Sequence, residues 1–377
     1  MDYDAPWRCR SASSFEKIAQ VGEGTYGNVF KAKDRITNEV YAMKKIKMDR
    51  EKEGFPITAL REIKLLKQMD HPNIVKLKEI VTSKSTDDRT PGNVYLLFEY
   101  MHHDLEGLLN MPKPKIEYTV PHLKCFIKQM LQAIEYLHSK NIIHRDIKCA
   151  NLLVNDDGEV KLADFGLARS VSSNPQEMYT NRVITLWYRP PELLLGSTKY
   201  GGEVDMWSAG CIIGEILARA PMFPEPDEPK MIQKIYDLCG TPSEEIWPGA
   251  YSLPHFEKFA PRERRTRMLR VKYAEKAKYP NFDELALDLI DRLLQLNPEN
   301  RLTARQALDH PYFTTEPLPC LPSELPKINE ELHEWLVKKQ RKEQRPNYPP
   351  GYKPPTKRPA DRPNPSPTKR AKLDEES

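Results

Sequence analysis

The sequence predicts an α+β fold: a β-rich first part with one key helix, then a larger, mainly helical second part. Three observations predict it. Apolar runs at strand spacing, Phe15–Val21, Val29–Lys33, Val40–Lys44 and Tyr95–Met101, crowd the start of the chain around one helical pattern that opens near Pro56. From Val120 onward, apolar residues recur at helical spacing. Between these regions and the helices that follow lie His144-Arg-Asp-Ile-Lys-Cys-Ala-Asn151 and Asp164-Phe-Gly166, charged and amide side chains at fixed spacing.

The bulk properties narrow the classes. A chain of 377 residues can bury the core of one large domain or two lobes. Lysine and arginine number 58 against 54 aspartates and glutamates, a net charge of +4, which gives no prior for a nucleic-acid reader. The six cysteines form no C-x-x-C pair, so neither a zinc site nor a disulfide framework is signalled, and a reducing compartment is expected. The opening Met1-Asp-Tyr-Asp-Ala-Pro6 has no basic start and no apolar run, so no secretory signal is read. No apolar stretch approaches the roughly 18 residues of a membrane helix.

In chain order, the strand Phe15–Val21 leads into Gly22-Glu-Gly24-Thr-Tyr-Gly27-Asn-Val29. Glycines let backbone amides approach phosphate oxygens without side-chain clash. G-x-G-x-x-G also fits a dinucleotide-binding turn, but a helix should follow there, whereas Val29–Lys33 continues as a strand and Asp34–Asn38 reads as a turn. The strand Val40-Tyr-Ala42-Met-Lys44 ends in a lysine whose meaning depends on an acidic partner. The helix from Phe55-Pro56 to Met69 supplies one. Ala59, Glu62, Leu65, Leu66 and Met69 share a face, so Glu62 points inward, where an unpaired carboxylate is costly. Ile57 and Leu60 form an apolar back that a neighbouring segment or another protein should cover.

His71–Val75 fits a turn and strand, Thr82–Asn93 a polar surface excursion, and Tyr95–Met101 a buried strand. Val120–Lys140 is helical, with Leu123, Phe126, Ile127, Met130, Leu131, Ile134 and Leu137 as its apolar series. The loop after it offers Asp146 to take a proton from a hydroxyl, Lys148 to follow the charge of a moving phosphoryl group, and Asn151 and Asp164 to hold magnesium. Phosphoryl transfer needs positioning and charge neutralisation more than covalent help, so a base, an amide and a carboxylate must converge.

H-R-D-x-x-x-x-N, D-F-G, G-x-G-x-x-G-x-V and the Val40–Lys44 pattern resemble the catalytic core of protein kinases over Phe15–Phe313. Pro56-Ile-Thr-Ala-Leu-Arg-Glu62 resembles the signature helix of cyclin-dependent kinases, in the form of the transcriptional branch. The resemblance implies a bilobal kinase fold, ATP and Mg²⁺ as cofactors, and a cyclin on the Pro56–Met69 helix whose binding brings Glu62 to Lys44. It implies an ATP site of Val21, Gly22, Glu23, Gly24, Thr25, Tyr26, Gly27, Val29, Ala42, Lys44, Phe98, Glu99, Met101 and Leu153. In it Phe98 is the gatekeeper, and the Glu99 and Met101 backbones meet the adenine edge. It also makes Thr185 a bridge between Asp146 and Lys148. Lys148 is the serine/threonine-kinase pattern, and Cys149-Ala150 departs from the commoner Pro-Glu without removing a catalytic group.

By the same resemblance, the segment from Asp164 to Pro190-Pro-Glu192 is an activation loop with Thr180 as its phosphosite. Arg61, Arg145 and Arg169 would clamp that phosphate, and Glu192 would pair with Arg301. Thr25 and Tyr26 match inhibitory phosphorylation positions of cell-cycle relatives. Val183 and Leu186–Arg189 would line a pocket selecting proline, which has no N–H to strand. The implied substrate is the Ser-Pro-rich C-terminal repeat of RNA polymerase II, in transcription elongation.

The expected organisation is an N-terminal extension 1–14, an N-lobe 15–101, a C-lobe 102–313, an extension 314–342 with a short helix bearing Ile328, Leu332, Trp335 and Leu336, and a disordered basic tail 343–377. Lys357-Arg358 and Lys369-Arg370-Ala-Lys372 in that tail look like a bipartite import signal, implying importin and the nucleus. Ser366-Pro367 beside it is a site whose phosphorylation is expected to weaken import. Two other readings are a cell-cycle kinase of the same fold and an inactive scaffold. The scaffold predicts loss of Lys44, Asp146, Asn151 or Asp164, and all four are present.

Overall fold

The computed structural model describes residues 9–24, 27–46, 56–83, 92–109, 117–171 and 178–343. Thr25, Tyr26, Phe55 and the basic tail with its import signal and Ser366 lie outside these residues.

The N-lobe is a five-stranded antiparallel sheet in the order β1-β2-β3-β5-β4: β1 (Phe15–Gly24), β2 (Gly27–Asp34), β3 (Val40–Lys45), β4 (Leu77–Thr82) and β5 (Val94–Glu99). The helix α1 (Ile57–Leu66) lies between β3 and β4 in sequence. Strand alternation gives the sheet two faces. Phe15, Ala32, Met43, Val81, Tyr95 and Leu97 form a core on one face. Leu96 and Phe98, one residue out of phase, join the larger core with Ala59 and Leu66 of α1. The same period sets Ala42 opposite Phe98 and Lys44 opposite both Val29 and Leu96. Gly27 tightens the β1–β2 turn, where φ is +151° and a Cβ would lie 1.7 Å from the Lys45 carbonyl oxygen.

The helix pattern holds, with one shift. α1 stops at Leu66, a turn follows at Lys67–Gln68, and Met69 lies just beyond it. The Gln68 and Met69 amides bond the carbonyls three residues back, at 2.9 and 3.2 Å, so the last turn tightens ahead of Pro72. Glu62 and Met69 are buried as expected, and the back of α1 is open, with Ile57 58% and Leu60 53% exposed.

The C-lobe begins with β6 (His103–Asp104) and α2 (Leu105–Leu109), and α3 (Val120–Ser139) buries its whole apolar series. Short strands β7 (Ile142–Ile143), β8 (Leu152–Val154), β9 (Val160–Leu162) and β10 (Arg169–Ser170) frame the loop His144–Asn151, which lies between β7 and β8. Then come α4 (Pro191–Leu194), α5 (Glu203–Ala218), α6 (Glu228–Cys239), α7 (Phe256–Phe259), α8 (Leu269–Tyr273), α9 (Glu284–Leu293) and α10 (Ala304–Leu308). α5 is apolar nearly all round, and its residues Val204–Leu217 are all buried, as a central core helix requires. No described helix is long and apolar enough to cross a membrane.

One buried carboxyl stands out below the His144–Asn151 loop. Glu215 accepts from the Tyr188 hydroxyl at 2.8 Å, and burial pushes its pKa from 4.5 to about 7. The native state therefore holds a proton that the unfolded chain releases between pH 4.5 and 7, and this group's contribution falls as pH rises through that window. We expect Glu215→Gln to gain stability relative to wild type across it, by on the order of 2–3 kcal/mol at pH 8. Chemical denaturation at several pH values checks this, and parallel curves for the two proteins would refute it.

The extension corrects a second expectation. Its helix, α11 (Glu334–Glu343), starts after Ile328 and Leu332 rather than including them. Leu332 is in a strand bridge: its N–H donates to the His102 carbonyl at 3.3 Å and its carbonyl accepts from Asp104 N–H at 3.0 Å. A backbone satisfied by β6 cannot also close a helical turn. Gly107 permits the approach, since a Cβ there would lie 2.4 Å from the Leu332 carbonyl oxygen.

Candidate active site

Three elements from distant parts of the chain meet at Lys44. Its Nζ lies 2.8 Å from Glu62 Oε1 on α1 and 2.9 Å from Asp164 Oδ1 after β9. Burial alone would depress the lysine, but Asp164 and Glu62 outweigh it and hold the pKa above its ordinary value. Asp164 shows the reverse balance: burial pushes it up, and Lys44 pulls it below the usual range. Asp164 holds a left-handed backbone, φ +64°, which turns the chain so that Phe165 is buried against the His144 ring. The Lys44–Glu62 pair is closed within this chain.

The catalytic loop is built from below. Asp205 on α5, fully buried, accepts from the backbone N–H groups of His144 and Arg145, each at 2.9 Å, and faces His138 Nε2 at 3.0 Å. Burial opposes its charge, but these donors keep its pKa low. The loop so fixed presents Asp146. Thr185 Oγ1 donates to Asp146 Oδ1 at 3.0 Å, and Lys148 Nζ lies 3.0 Å from Oδ2. Asn151 Nδ2 donates to the Asp146 carbonyl at 2.7 Å and to Oδ2 at 3.1 Å. The expected bridge is thus drawn differently: Thr185 holds Asp146, and Lys148 reaches that carboxylate directly.

Between the lobes is a cleft of about 260 Å³. Val21, Ala42, Phe98 and Leu153 give it apolar walls, and Lys44, Glu62, Asn151 and Asp164 a polar end. Gly22, Glu23, Gly27, Val29, Glu99, Met101 and Lys148 also line it. Gly24 pairs with Gly27 across the β1–β2 turn. The cleft has a wall that motif spacing did not reveal: His333, Glu334 and Trp335 of the extension. They are held by Asp104 Oδ2, which accepts from Glu334 N–H at 2.7 Å, and by Glu331, which pairs with Lys31 and accepts from Tyr100 at 3.0 Å.

The segment expected to carry the phosphosite is partly assembled. Thr180 is exposed. Arg145 reaches its backbone through Tyr200: Nη1 donates to the phenol at 3.0 Å, and the phenol donates to the Thr180 carbonyl at 2.7 Å. Arg169 donates to the Ala168 carbonyl at 2.9 Å, and Arg61 is exposed on α1. Further on, Ile184 holds φ +65°, a strained value for a β-branched residue. Arg189 takes the carbonyls around this turn, with Nε 3.0 Å from Val183 O and Nη2 3.1 Å from Ile184 O, and is itself braced by Glu228 at 2.7 Å. Glu192 and Arg301 form a buried two-point pair, both bonds at 2.7 Å.

The oxygen donors present fit magnesium. Among the described residues no group of three or more His, Cys, Asp or Glu could hold a metal alone. Mg²⁺ is usually held by one or two carboxylates completed by water and substrate phosphates, not by an all-protein cage. Asp164 with the Asn151 amide oxygen is such a partial set.

Residues 15–313 match the family described as protein kinase domain. The chain is 49% identical over 351 residues to cyclin-dependent kinase C-1 of Oryza sativa subsp. japonica, covering 90% of this chain and 66% of that protein. It is 48% identical over 324 residues to cyclin-dependent kinase C-3 of the same plant, covering 84% of this chain and 95% of that protein. It is 45% identical over 344 residues to cyclin-dependent kinase 12 of Drosophila melanogaster, covering 89% of this chain and 29% of that protein. Two solved structures share its shape. One is the CAK complex of Chaetomium thermophilum bound to ATP-gamma-S, with TM-score 0.74, 39% identity, and 84% of this chain and 95% of that one covered. The other is the yeast RNA Pol II CTD kinase CTDK-1 complex, with TM-score 0.73, 40% identity, and 84% and 98% covered.

Proposed function

The chain belongs to the protein kinase family, among its cyclin-dependent members, and from that premise we propose that it is an ATP-dependent, cyclin-dependent, proline-directed serine/threonine kinase acting in the nucleus on RNA polymerase II C-terminal repeats to promote elongation. One observation carries the activity: Asp146, oriented by Thr185 and Asn151, sits in the loop beside a cleft whose polar end gathers Lys44, Glu62 and Asp164.

In this reading Asp146 accepts the proton of the substrate hydroxyl as it attacks the γ-phosphorus, and Lys148 stabilises charge on the transferring group. Glu62 holds Lys44 extended toward the nucleotide phosphates. Asn151 and Asp164 would hold Mg²⁺, which supplies neutralisation of phosphate charge. Thr180 would be phosphorylated and draw Arg61, Arg145 and Arg169 together.

Proline selection has a physical basis. Arg189 occupies the Val183 and Ile184 carbonyls, so the backbone beside the acceptor offers no partner for a following N–H, and proline has none to strand. The exposed Ile57 and Leu60 on α1 support a cyclin there. The polymerase substrate is supported by the yeast complex, described as a Pol II CTD kinase. The import signal and nuclear site rest on the tail sequence.

The test isolates the intact chain with its co-purifying cyclin and supplies ATP and Mg²⁺. We expect phosphorylation of a repeat peptide and at least a ten-fold drop, on the order of one lost backbone partner, when each Ser-Pro becomes Ser-Ala. Faster turnover of histone than of the repeat would favour the cell-cycle reading instead.

A further inference from the structure

The C-lobe carries a second concavity, of about 480 Å³, between α6 and Lys258–Arg262. Four cations line it, Lys230, Lys234, Lys258 and Arg262, against two carboxylates, Glu225 and Asp237. Asp237 is already engaged by Arg265 and Gln233. Lys230 has Asp227 at 3.5 Å, while Lys234, Lys258 and Arg262 make no ion pair among the described residues. The positive surface continues past the basin. Lys272 on α8 is depressed by burial first and then by repulsion from Lys234 and Lys278, so these cations share one neighbourhood.

The basin adjoins the acceptor-side segment. Trp187 Nε1 donates to the Glu225 carbonyl at 3.1 Å, and Glu228 at the start of α6 braces Arg189. A substrate held at Arg189 therefore has this basin next to it. We propose that the basin docks an acidic segment of the protein substrate, a stretch of aspartates and glutamates outside the Ser-Pro acceptor, as a specificity determinant. The proposal rests on the kinase reading above. Surface lysines are ordinarily just solvated; here three unpaired cations rim one concavity beside the acceptor segment, and cations so arranged discriminate between partners by charge. Single-stranded nucleic acid fits less well. Phe259 and Tyr273, the rings beneath Lys258 and Lys272, are 7% and 3% exposed and offer no open face for stacking bases.

The experiment uses the intact chain with its cyclin and two peptides. Each has one Ser-Pro acceptor followed by a flexible spacer and a run of glutamates or of glutamines. We expect the glutamate peptide to show a KM about ten-fold lower at low salt with kcat unchanged, and the advantage to shrink at high salt. The triple variant Lys230→Glu, Lys234→Glu, Lys258→Glu should erase that advantage while turning over the glutamine peptide as wild type does. Lys234→Gln alone should lose part of it. Equal KM values in wild type, an advantage that survives the triple variant, or displacement of the glutamate peptide by a neutral-sequence RNA oligonucleotide at lower concentration than by free glutamate peptide would each overturn the proposal. No turnover of either peptide would count against the kinase reading itself.

Discussion

Replacing Asp146 with asparagine is expected to lower kcat on a Ser-Pro peptide by roughly 10²–10⁴, the range for removing a positioned base. The substitution has a local cost: with its oxygen kept toward Thr185, the new amide nitrogen replaces Oδ2 and faces two donors, Asn151 Nδ2 at 3.1 Å and Lys148 Nζ at 3.0 Å. Asparagine can still accept from Thr185 Oγ1, now 3.0 Å from Oδ1, so the loop keeps its tie to the activation segment. It loses the charge that meets Lys148 and the capacity to take a proton. Asp146 does not line the nucleotide cleft, so ATP affinity should change little. Steady-state kinetics and nucleotide titration separate the two effects. A fall in nucleotide affinity that matches the fall in kcat would mean that the site had collapsed and that Asp146 is not acting as a base.

Much of this site was readable because its parts are close in sequence or periodic. Asp146, Lys148 and Asn151 lie within one loop, and their spacing alone brings them to one carboxylate. Glu62 was legible because helical period put a carboxylate on a buried face, which demands a cation, and Lys44 supplies it at 2.8 Å. The failures share a different cause. Ile328, Leu332, Trp335 and Leu336 have helical spacing, but Leu332 bonds the backbone of β6, and no side-chain pattern reports a backbone partner 229 residues away. For the same reason His333, Glu334 and Trp335 could not be assigned to the cleft from sequence. Tyr200, which links Arg145 to Thr180, belongs to no motif and is visible only through its two hydrogen bonds. The left-handed turn at Ile184 was equally hidden, since residue type argues against it.

The second large effect is expected in stability. The Arg301 side chain is wholly buried, and all its donor groups are engaged: Glu192 through both terminal nitrogens at 2.7 Å, Gln295 O at 2.9 Å, Glu203 O at 3.0 Å and Leu296 O at 3.3 Å. Arg301→Ala leaves Glu192 buried without its cation, which costs about 3–5 kcal/mol and lowers Tm by on the order of 10 °C. Lysine should restore little, because one point charge cannot replace a two-point fork. The pH dependence identifies the cause. In wild type, burial already pushes the Glu192 pKa upward against the pull of Arg301. Without the arginine it rises further, so the native variant takes up a proton that the unfolded chain does not hold, and its stability recovers as pH falls from 8 toward 5.5. Glu192→Gln in the same background should recover part of the loss at pH 8 and remove that dependence. Thermal unfolding across this range decides the matter: a loss equal at every pH would trace the damage to the cavity under Trp207, whose ring lies 5.0 Å from the guanidinium, and not to a stranded charge.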